Sequence, residues 1–210
     1  MAEQLDLAYL DTGAMYRAAT WWALDQGIDL EDAPRVTAAV ETMPLEISLD
    51  PSAQTLSCRG VDITDAIRTS DISKVVSKVS TIIPVRTELI RRQQAIISAE
   101  ESGGYSEGRG IVVEGRDINT VVAPDADVRV LLTASEAARL ARRAKEVRGS
   151  DSAEAIAQTR DEVVRRDRDD STVVNFMTAA DGVVTIDSSN LSIDQTVQAV
   201  LDLVPRSDHA

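Results

Sequence analysis

The sequence predicts an α/β fold in which a parallel sheet is flanked by helices and carries a small antiparallel β insertion. Short aliphatic runs of the kind found in buried strands occur at 7–10, 111–113, 128–132 and 183–186. Segments with helical spacing separate these runs, and such alternation favours a parallel sheet with right-handed crossovers. Between 45 and 63, apolar and polar residues alternate around an Asp50-Pro51-Ser52 turn, which predicts the insertion. We interpret the insertion as a mobile flap of the domain.

The first elements are predicted from a strand-to-helix turn. The run at 7–10 leads into Asp11-Thr12-Gly13 and then into a helix from Ala14 to about Gln26. Thr12 is the candidate cap of this helix, since threonine is favoured at that position. A second helix is predicted at about 31–42, before the insertion.

Two consecutive helices are predicted after the insertion. Aliphatic residues at helical spacing form one stripe, namely Ile72, Val75, Val76, Val79, Ile82 and Ile83. Pro84 then starts a further helix, a position that proline tolerates, with Val85 and Leu89 on its buried face. The glycine-rich segment at 102–110 contains no lysine, so we interpret it as a connection to the strand at 111–113.

The C-terminal elements have clear start signals. Ser135 is the predicted cap of the helix that follows the strand at 128–132. A long charged helix is predicted at 153–170. The last helix begins at a capping box, Ser192 with Gln195, and runs to about Val204, after which we expect a frayed tail.

The composition describes a globular and strongly acidic chain. Of its 210 residues, 43% are apolar and 3% are aromatic, so aliphatic side chains must build the core. The net charge of −13 disfavours general binding of nucleic acid or of anionic membranes. The sequence shows no apolar run of membrane-spanning length and no secretory signal, so we expect a cytoplasmic protein.

Two residue types restrict the chemistry. Cys58 is the single cysteine, so no intrachain disulfide can form, and we interpret it as a packed thiol. The single histidine, His209, lies one residue from the end, which argues against histidine metal sites and against Ser-His or Cys-His catalysis. Arginines cluster at 139–143 and 165–168, either as a solvated helix face or as an anion site.

The strongest candidate site lies at the end of the strand at 111–113. Glu114-Gly115-Arg116-Asp117 follows this strand, and its glycine allows a sharp turn. Parallel sheets bind ligands at the carboxyl ends of their strands, so Arg116 and Asp117 lie where a site is expected. The arginine offers a planar donor fork to phosphate, and the aspartate offers acceptor oxygens. A strand-end salt bridge is the alternative interpretation.

The turn at 11–13 is a second candidate. The start of the following helix can direct a hydroxyl and backbone donors at an anion, and Arg17, one turn later, could join them. A simple helix cap is the alternative for Thr12, and solvent exposure is the alternative for Arg86 farther along the chain.

Several stretches taken together resemble the bacterial cytidylate kinases, a family of P-loop nucleoside monophosphate kinases. The first is Asp11-Thr12-Gly13-Ala14-Met15-Tyr16-Arg17, and the second pairs Val76-Ser77 with Val85-Arg86. The most specific is Val-Glu-Gly-Arg-Asp-Ile-Asn-Thr-Val-Val-Ala-Pro-Asp-Ala at 113–126. Leu132-Thr133-Ala134-Ser135 and Arg166-Asp167-Arg168-Asp169-Asp170-Ser171 follow in the family's order. The likeness covers 1–204.

The resemblance implies transfer of the γ-phosphoryl group of ATP to CMP or dCMP, with Mg²⁺ as the accompanying ion. It implies a single nucleoside monophosphate kinase-like domain at 1–204, with 45–65 as the nucleotide-binding β insertion and about 143–160 as a lid region. Residues 205–210 would be a tail. The implied partners are these nucleotides alone, with no nucleic acid or membrane, and the implied state is a monomer.

The resemblance also implies roles for individual residues. Arg17 and Arg116 would grip the acceptor phosphate as the catalytic residues, with Thr12 nearby, since guanidinium pairs bidentately with phosphate. Ser77, Arg86 and Asp117 would recognise the base. Cytosine presents an amino donor that a carboxylate accepts, whereas the oxygen of uracil at that position would be repelled.

The remaining implied roles concern the sugar and the donor nucleotide. Arg166 and Asp170 would hold the sugar. Arg139 and Arg143, one helical turn apart, would face ATP or a closing lid, with a solvated face as the alternative. No residue is implied as a metal ligand.

The sequence departs from the family pattern in two places. Val173 occupies the position at which the family typically has another phosphate-binding arginine, three residues after Asp170. The phosphate loop G-x-x-x-x-G-K-[ST], which would cradle ATP, does not occur in these 210 residues. We therefore expect the natural protein to start roughly 20 to 30 residues earlier, enough for one strand, loop and helix. Without that strand, the strands at 111 and 128 should each have an unpaired edge.

Two alternatives remain beside an active kinase. The first is a catalytically silent module that keeps the acceptor pocket and binds cytidine nucleotides. The second is a nucleoside monophosphate kinase with a different base preference.

Overall fold

The computed structural model describes residues 1–150, 152–173 and 178–205. The chain divides into two compact units, which we call the N-terminal unit (Ala2–Ile118) and the C-terminal unit (Asn119–Ala210 with Met1). The predicted α/β class is confirmed, because parallel strand pairs occur with flanking helices and a separate small antiparallel sheet.

The N-terminal unit contains five strands and four helices in its described part. In chain order they are β1 (Ala8–Asp11), α1 (Thr12–Asp25), α2 (Ala33–Glu41), β2 (Leu45–Ile47), β3 (Leu56–Cys58), β4 (Val61–Asp62), α3 (Ser70–Ser80), α4 (Ile83–Glu101) and β5 (Ile111–Glu114). Short 3₁₀ turns occur at Glu3–Leu5 and Ala66–Arg68. The strands β2, β3 and β4 form the predicted antiparallel insertion.

The C-terminal unit begins within a π-helical turn at Ile118–Val122. Its described elements are β6 (Val130–Thr133), α5 (Glu136–Arg148), α6 (Ala153–Ser171), β7 (Val184–Asp187) and α7 (Ile193–Leu201). Ser135 caps α5, and the capping box at the start of α7 is present, as the sequence predicts. Both signals are local, so they do not depend on distant contacts.

The parallel strands form two separate pairs. β1 pairs with β5, with Asp11 opposite Glu114, and β6 pairs with β7, with Thr133 opposite Asp187. In the described part of the chain, β5 and β6 each pair along one edge, as expected. Because β1 and β5 end side by side, the turns that follow them meet at one edge of the sheet.

The core of the N-terminal unit is built around α1. Alanines along this helix, such as Ala18, Ala19 and Ala23, are completely buried and allow close helix packing. The insertion contributes Leu56, Cys58 and Ile63 to the same core cluster. Cys58 is therefore a packed thiol, as predicted, and burial raises its pKa.

The structure corrects several local predictions. Asp11, and not Thr12, caps α1, because its carboxylate accepts from the backbone of Ala14 and Thr12 is already helical. Ile83 belongs to the start of α4 and is 62% exposed, so it leaves the apolar stripe of α3. Strand β5 is half-buried along its apolar residues. No helix within the described residues is long and apolar enough to cross a membrane.

Candidate active site

The first part of the site is an arginine held at the β1–α1 junction. Asp11 Oδ1 accepts from the backbone nitrogen of Ala14 at 2.8 Å, and Asp11 Oδ2 accepts from Arg17 Nη2 at 2.8 Å. The Arg17 side chain is 14% exposed. Its Nε is buried and has no hydrogen-bond partner within the described residues. A buried donor in that state is an opening for a ligand oxygen, because buried polar groups are normally paired.

The second part joins this junction to the end of β5. Thr12 Oγ1 donates to the carbonyl oxygen of Glu114 at 2.8 Å, a bond that crosses the β1–β5 pair. Gly115 follows, and a Cβ at this position would collide with Thr12 Oγ1 and lie 2.9 Å from Ile118 Cδ1. Arg116 comes next and is half-buried. The missing Cβ of Gly115 thus permits the turn to approach Thr12.

The third part is a buried ion pair between Arg86 on α4 and Asp117. Arg86 Nη2 donates to Asp117 Oδ2, and the two side chains are 12% and 4% exposed. Arg86 Nη1 also donates to the carbonyl of Ser80 at 3.3 Å, and its guanidinium lies 5.7 Å from the ring centroid of Tyr16. The solvent-exposed interpretation of Arg86 is therefore wrong. Ser77 is half-buried on α3, one turn before Ser80.

Two carboxylates lie side by side at the ends of the parallel strands. Part of the Glu114 side chain reaches solvent, but protein surrounds most of the carboxyl group. The resulting desolvation raises the pKa of Glu114, and the negative charge of Asp11 raises it further. Burial also raises the pKa of Tyr9, whose hydroxyl donates to Glu114. Arg17 and Arg68 act in the opposite direction on Glu114, so the strand ends carry both signs of charge.

The other predicted residues lie in the C-terminal unit. On α5, Arg139 is half-buried, and Arg143 Nη1 donates to Glu146 at 3.1 Å on the same helix. The side chains of Arg166 and Asp170 on α6 lie outside the described residues. The predicted lid at about 143–160 consists of the end of α5, a turn with Gly149 in the left-handed region, and the start of α6.

Some residues of the site were not singled out from the sequence. Asp11 fixes Arg17, Tyr16 lies against Arg86, and Glu114 with Tyr9 adds charge at the strand ends. Asp11 could have been found, because aspartate is at least as good an N-cap as threonine. The structure brings six predicted residues into the N-terminal unit: Thr12, Arg17, Ser77, Arg86, Arg116 and Asp117.

The fold and the site together define a nucleotide-kinase type of α/β protein, with arginines and a carboxylate gathered at the ends of parallel strands. A sequence model described as cytidylate kinase matches residues 1–206. A cytidylate kinase of Streptomyces avermitilis is 43% identical over 206 residues, covering 97% of this chain and 84% of the relative. One from Cutibacterium acnes is 45% identical over 206 residues, covering 98% and 87%. The chain belongs to the cytidylate kinase family.

A further relative contains a similar sequence within a longer protein. A bifunctional pantoate ligase/cytidylate kinase of a Synechococcus species is 41% identical over 205 residues. The match covers 96% of this chain and 40% of that relative.

Proposed function

We propose that this protein binds CMP or dCMP as the acceptor of the γ-phosphoryl group of ATP, giving CDP or dCDP. The observation that carries the proposal is the buried Arg86–Asp117 pair, whose arginine lies 5.7 Å from the ring centroid of Tyr16, the residue before Arg17. Family membership supports the same reaction, since the related proteins are named cytidylate kinases.

The acceptor phosphate is assigned to Arg17 and Arg116. Asp11 holds one Nη of Arg17, while the buried Nε remains available for a phosphate oxygen. Thr12 links the two turns that carry these arginines through its bond to Glu114. Phosphoryl transfer depends chiefly on positioning and on positive charge at the phosphates, so these arginines are the catalytic residues of the proposal.

Recognition of the cytosine base is assigned to Asp117, Arg86 and Ser77. Arg86 occupies Asp117 Oδ2, so Oδ1 is the acceptor proposed for the amino group of cytosine. Arg86 would donate to the acceptor atoms of the ring. Uracil presents an oxygen in place of the amino group, and a buried carboxylate would repel it.

The remaining assignments rest on the resemblance. Arg166 and Asp170 would hold the sugar, and Arg139 and Arg143 would lie on the ATP side. No group of three or more histidine, cysteine, aspartate or glutamate side chains suited to a metal occurs within the described residues. Mg²⁺ in kinases is commonly coordinated by the ATP phosphates and by water molecules, and such binding does not require a cluster of protein ligands. The proposed protein acts as a monomer in the cytoplasm.

The phosphate assignment is tested by comparing CMP with cytidine, which lacks the phosphate. We expect the wild-type chain to bind CMP more tightly than cytidine by a factor of about ten or more, because charged hydrogen bonds to phosphate are lost in cytidine. The variant Arg17→Gln should lose most of that difference in calorimetric titrations.

Arg35→Gln, which changes an exposed arginine of α2, is the matched control and should keep the full difference. Equal loss in both variants, or equal wild-type affinity for CMP and cytidine, would contradict the assignment.

A second candidate function is a silent cytidine-nucleotide-binding module. Binding alone requires only acceptor-site residues such as Arg17, Arg86 and Asp117, all of which lie in the N-terminal unit. The two candidates differ in product formation. Conversion of CMP to CDP by the full natural protein in the presence of ATP and Mg²⁺ indicates the kinase, while saturable CMP binding by that protein without CDP indicates the module.

A further inference from the structure

Arg92 on α4 binds the carboxyl end of α2. Its Nη1 donates to the carbonyl of Met43 at 2.8 Å, and its Nη2 donates to the carbonyls of Val40 at 2.8 Å and Glu41 at 3.0 Å. Glu88, one turn earlier on α4, accepts from Arg92 Nε at 2.6 Å. The last carbonyls of a helix have no partner within that helix, so Arg92 supplies donors that α2 itself lacks.

These carbonyls lie at the root of the β insertion. Met43 precedes β2, which begins at Leu45. The intervening Pro44 carbonyl accepts from the backbone nitrogen of Arg59 at 3.4 Å, which belongs to the turn between β3 and β4. Arg92 therefore contacts the chain where it leaves α2 and enters the insertion.

Side-chain packing does not close the space between β2 and α4. An open cleft of about 320 Å³ lies between them, lined by Leu45 and Ile47 on one side and by Arg91, Arg92, Ala95 and Ile96 on the other. Atoms on the two sides of this solvent-open cleft do not touch, so the dispersion contacts between the two elements are fewer there. Hydrogen bonds such as those of Arg92 then contribute a larger share of the interaction between the insertion and α4.

The insertion also adjoins the strand that carries the site. The carbonyl of Leu49, two residues after β2, accepts from the backbone nitrogen of Tyr9 at 2.9 Å. Tyr9 lies in β1, which ends at Asp11, the partner of Arg17. A shift of the insertion at its root would therefore reach β1 through this bond.

We propose that Arg92 is a positioning residue that fixes the root of the insertion, and through it the insertion's place beside β1 and the acceptor site. The effect on the acceptor rests on the proposed function, whereas the effect on the insertion does not. Arg92 acts without touching the nucleotide, since its donors are used by main-chain carbonyls and by Glu88.

The neighbouring Arg91 provides a matched control. Arg91 Nε and Nη2 each donate to Glu88 at 2.8 Å, its side chain is 66% exposed, and no bond to a main-chain carbonyl is present within the described residues. The hydrogen bond from Arg91, and to a smaller extent the one from Arg92, lowers the pKa of Glu88 to about 2. Glu88 is therefore ionised at neutral pH and binds both arginines. Replacing either arginine removes one partner of Glu88, but only Arg92 links α4 to the insertion root.

The test compares Arg92→Gln with Arg91→Gln by amide hydrogen exchange of the unliganded chain. We expect Arg92→Gln to speed exchange in peptides from 45–63 by about tenfold or more, because charge-assisted bonds to the root are lost. Peptides from α1 and α3 should exchange as in the wild type, and Arg91→Gln should change neither region. Wild-type exchange at 45–63 in Arg92→Gln, or equal acceleration throughout the unit, would overturn the proposal.

A second readout concerns the acceptor. The dissociation constant for CMP should rise about tenfold in Arg92→Gln and less than about twofold in Arg91→Gln. An unchanged CMP affinity alongside a loosened insertion would overturn the link to the site. If the wild type fails to bind CMP, the proposed function fails, and the exchange experiment still decides the role of Arg92 at the insertion.

A conservative variant keeps the proposal testable if Arg92→Gln does not fold. Arg92→Lys keeps the charge but cannot reach three carbonyls with one planar fork. We expect faster exchange at 45–63 in this variant as well, by a smaller factor than for Arg92→Gln. Exchange at 45–63 equal to the wild type would overturn the proposal.

Discussion

Replacing Asp117 by asparagine is expected to lower the free energy of unfolding by about 3 kcal/mol, because it leaves Arg86 as a buried charge without its counter-ion. The two side chains are 12% and 4% exposed, so water can do little to compensate. Denaturant titration of the variant and the wild type measures the loss. The same variant should lose roughly tenfold or more of its preference for CMP over UMP, since an amide can face either base.

The control for this prediction is Asp71→Asn. Asp71 pairs with Lys74 at 3.4 Å on the surface of α3, with side chains 92% and 55% exposed. Exposed pairs contribute about 0 to 1 kcal/mol, so this variant should be nearly as stable as the wild type. Similar losses of unfolding free energy in the two variants would show that burial does not make the Arg86–Asp117 pair more costly to break than an exposed pair.

Replacing Gly115 by alanine should cost about 2 to 4 kcal/mol of stability and weaken CMP binding, because the new methyl group collides with Thr12. The collision involves Thr12 Oγ1, and the Ile118 side chain lies 2.9 Å from the same Cβ position. Relief requires Thr12 to move, which breaks its 2.8 Å bond to Glu114 and displaces the start of α1. Thermal or denaturant unfolding and a CMP titration measure the two effects.

A double variant identifies the cause of this loss. Thr12→Ala removes the oxygen that collides, so Gly115→Ala should cost less in that background than in the wild type. Additive losses would place the damage elsewhere, for example at Ile118.

The sequence predicts best the features that depend on near neighbours. The capping box at Ser192 and Gln195, the cap at Ser135 and the start of α4 near Pro84 are each decided within one helical turn. The parallel direction of β1 with β5 and of β6 with β7 also follows from alternating strands and helices. These signals suffice for the fold class and for the boundaries of most elements to within a few residues.

Contacts between distant segments were less predictable. Arg86 lies on a helix face that spacing alone suggests is solvated, and its burial is explained by contacts with Asp117, Ser80 and Tyr16. The resemblance predicts that both residues recognise the base, although no local signal in the sequence links them. Gln93 and Glu100 of the same helix are buried as well, although polar residues are usually exposed. Glu100 is buried because its carboxylate accepts from the backbone nitrogens of Tyr105 and Ser106 in the glycine-rich connection.

The insertion shows a similar limit. Its antiparallel strands follow from alternating residues, but its attachment to α4 through Arg92 joins residues about fifty positions apart. The positively charged side chain gives no sign in the sequence that its partners are backbone carbonyls. Arg59 also has a distant partner that the sequence does not indicate, since its guanidinium lies 4.5 Å from the ring centroid of Trp22.

The proposed function depends most directly on recognition of cytosine by the folded chain. The decisive measurement is a calorimetric titration of CMP, with UMP as the control, into the 210-residue chain, after circular dichroism has shown that it is folded. The proposed function predicts saturable binding of CMP and binding of UMP that is weaker by about tenfold or more, since a carboxylate accepts from the amino group of cytosine and repels the oxygen of uracil. A folded chain that binds neither nucleotide, or that binds both equally, would contradict it.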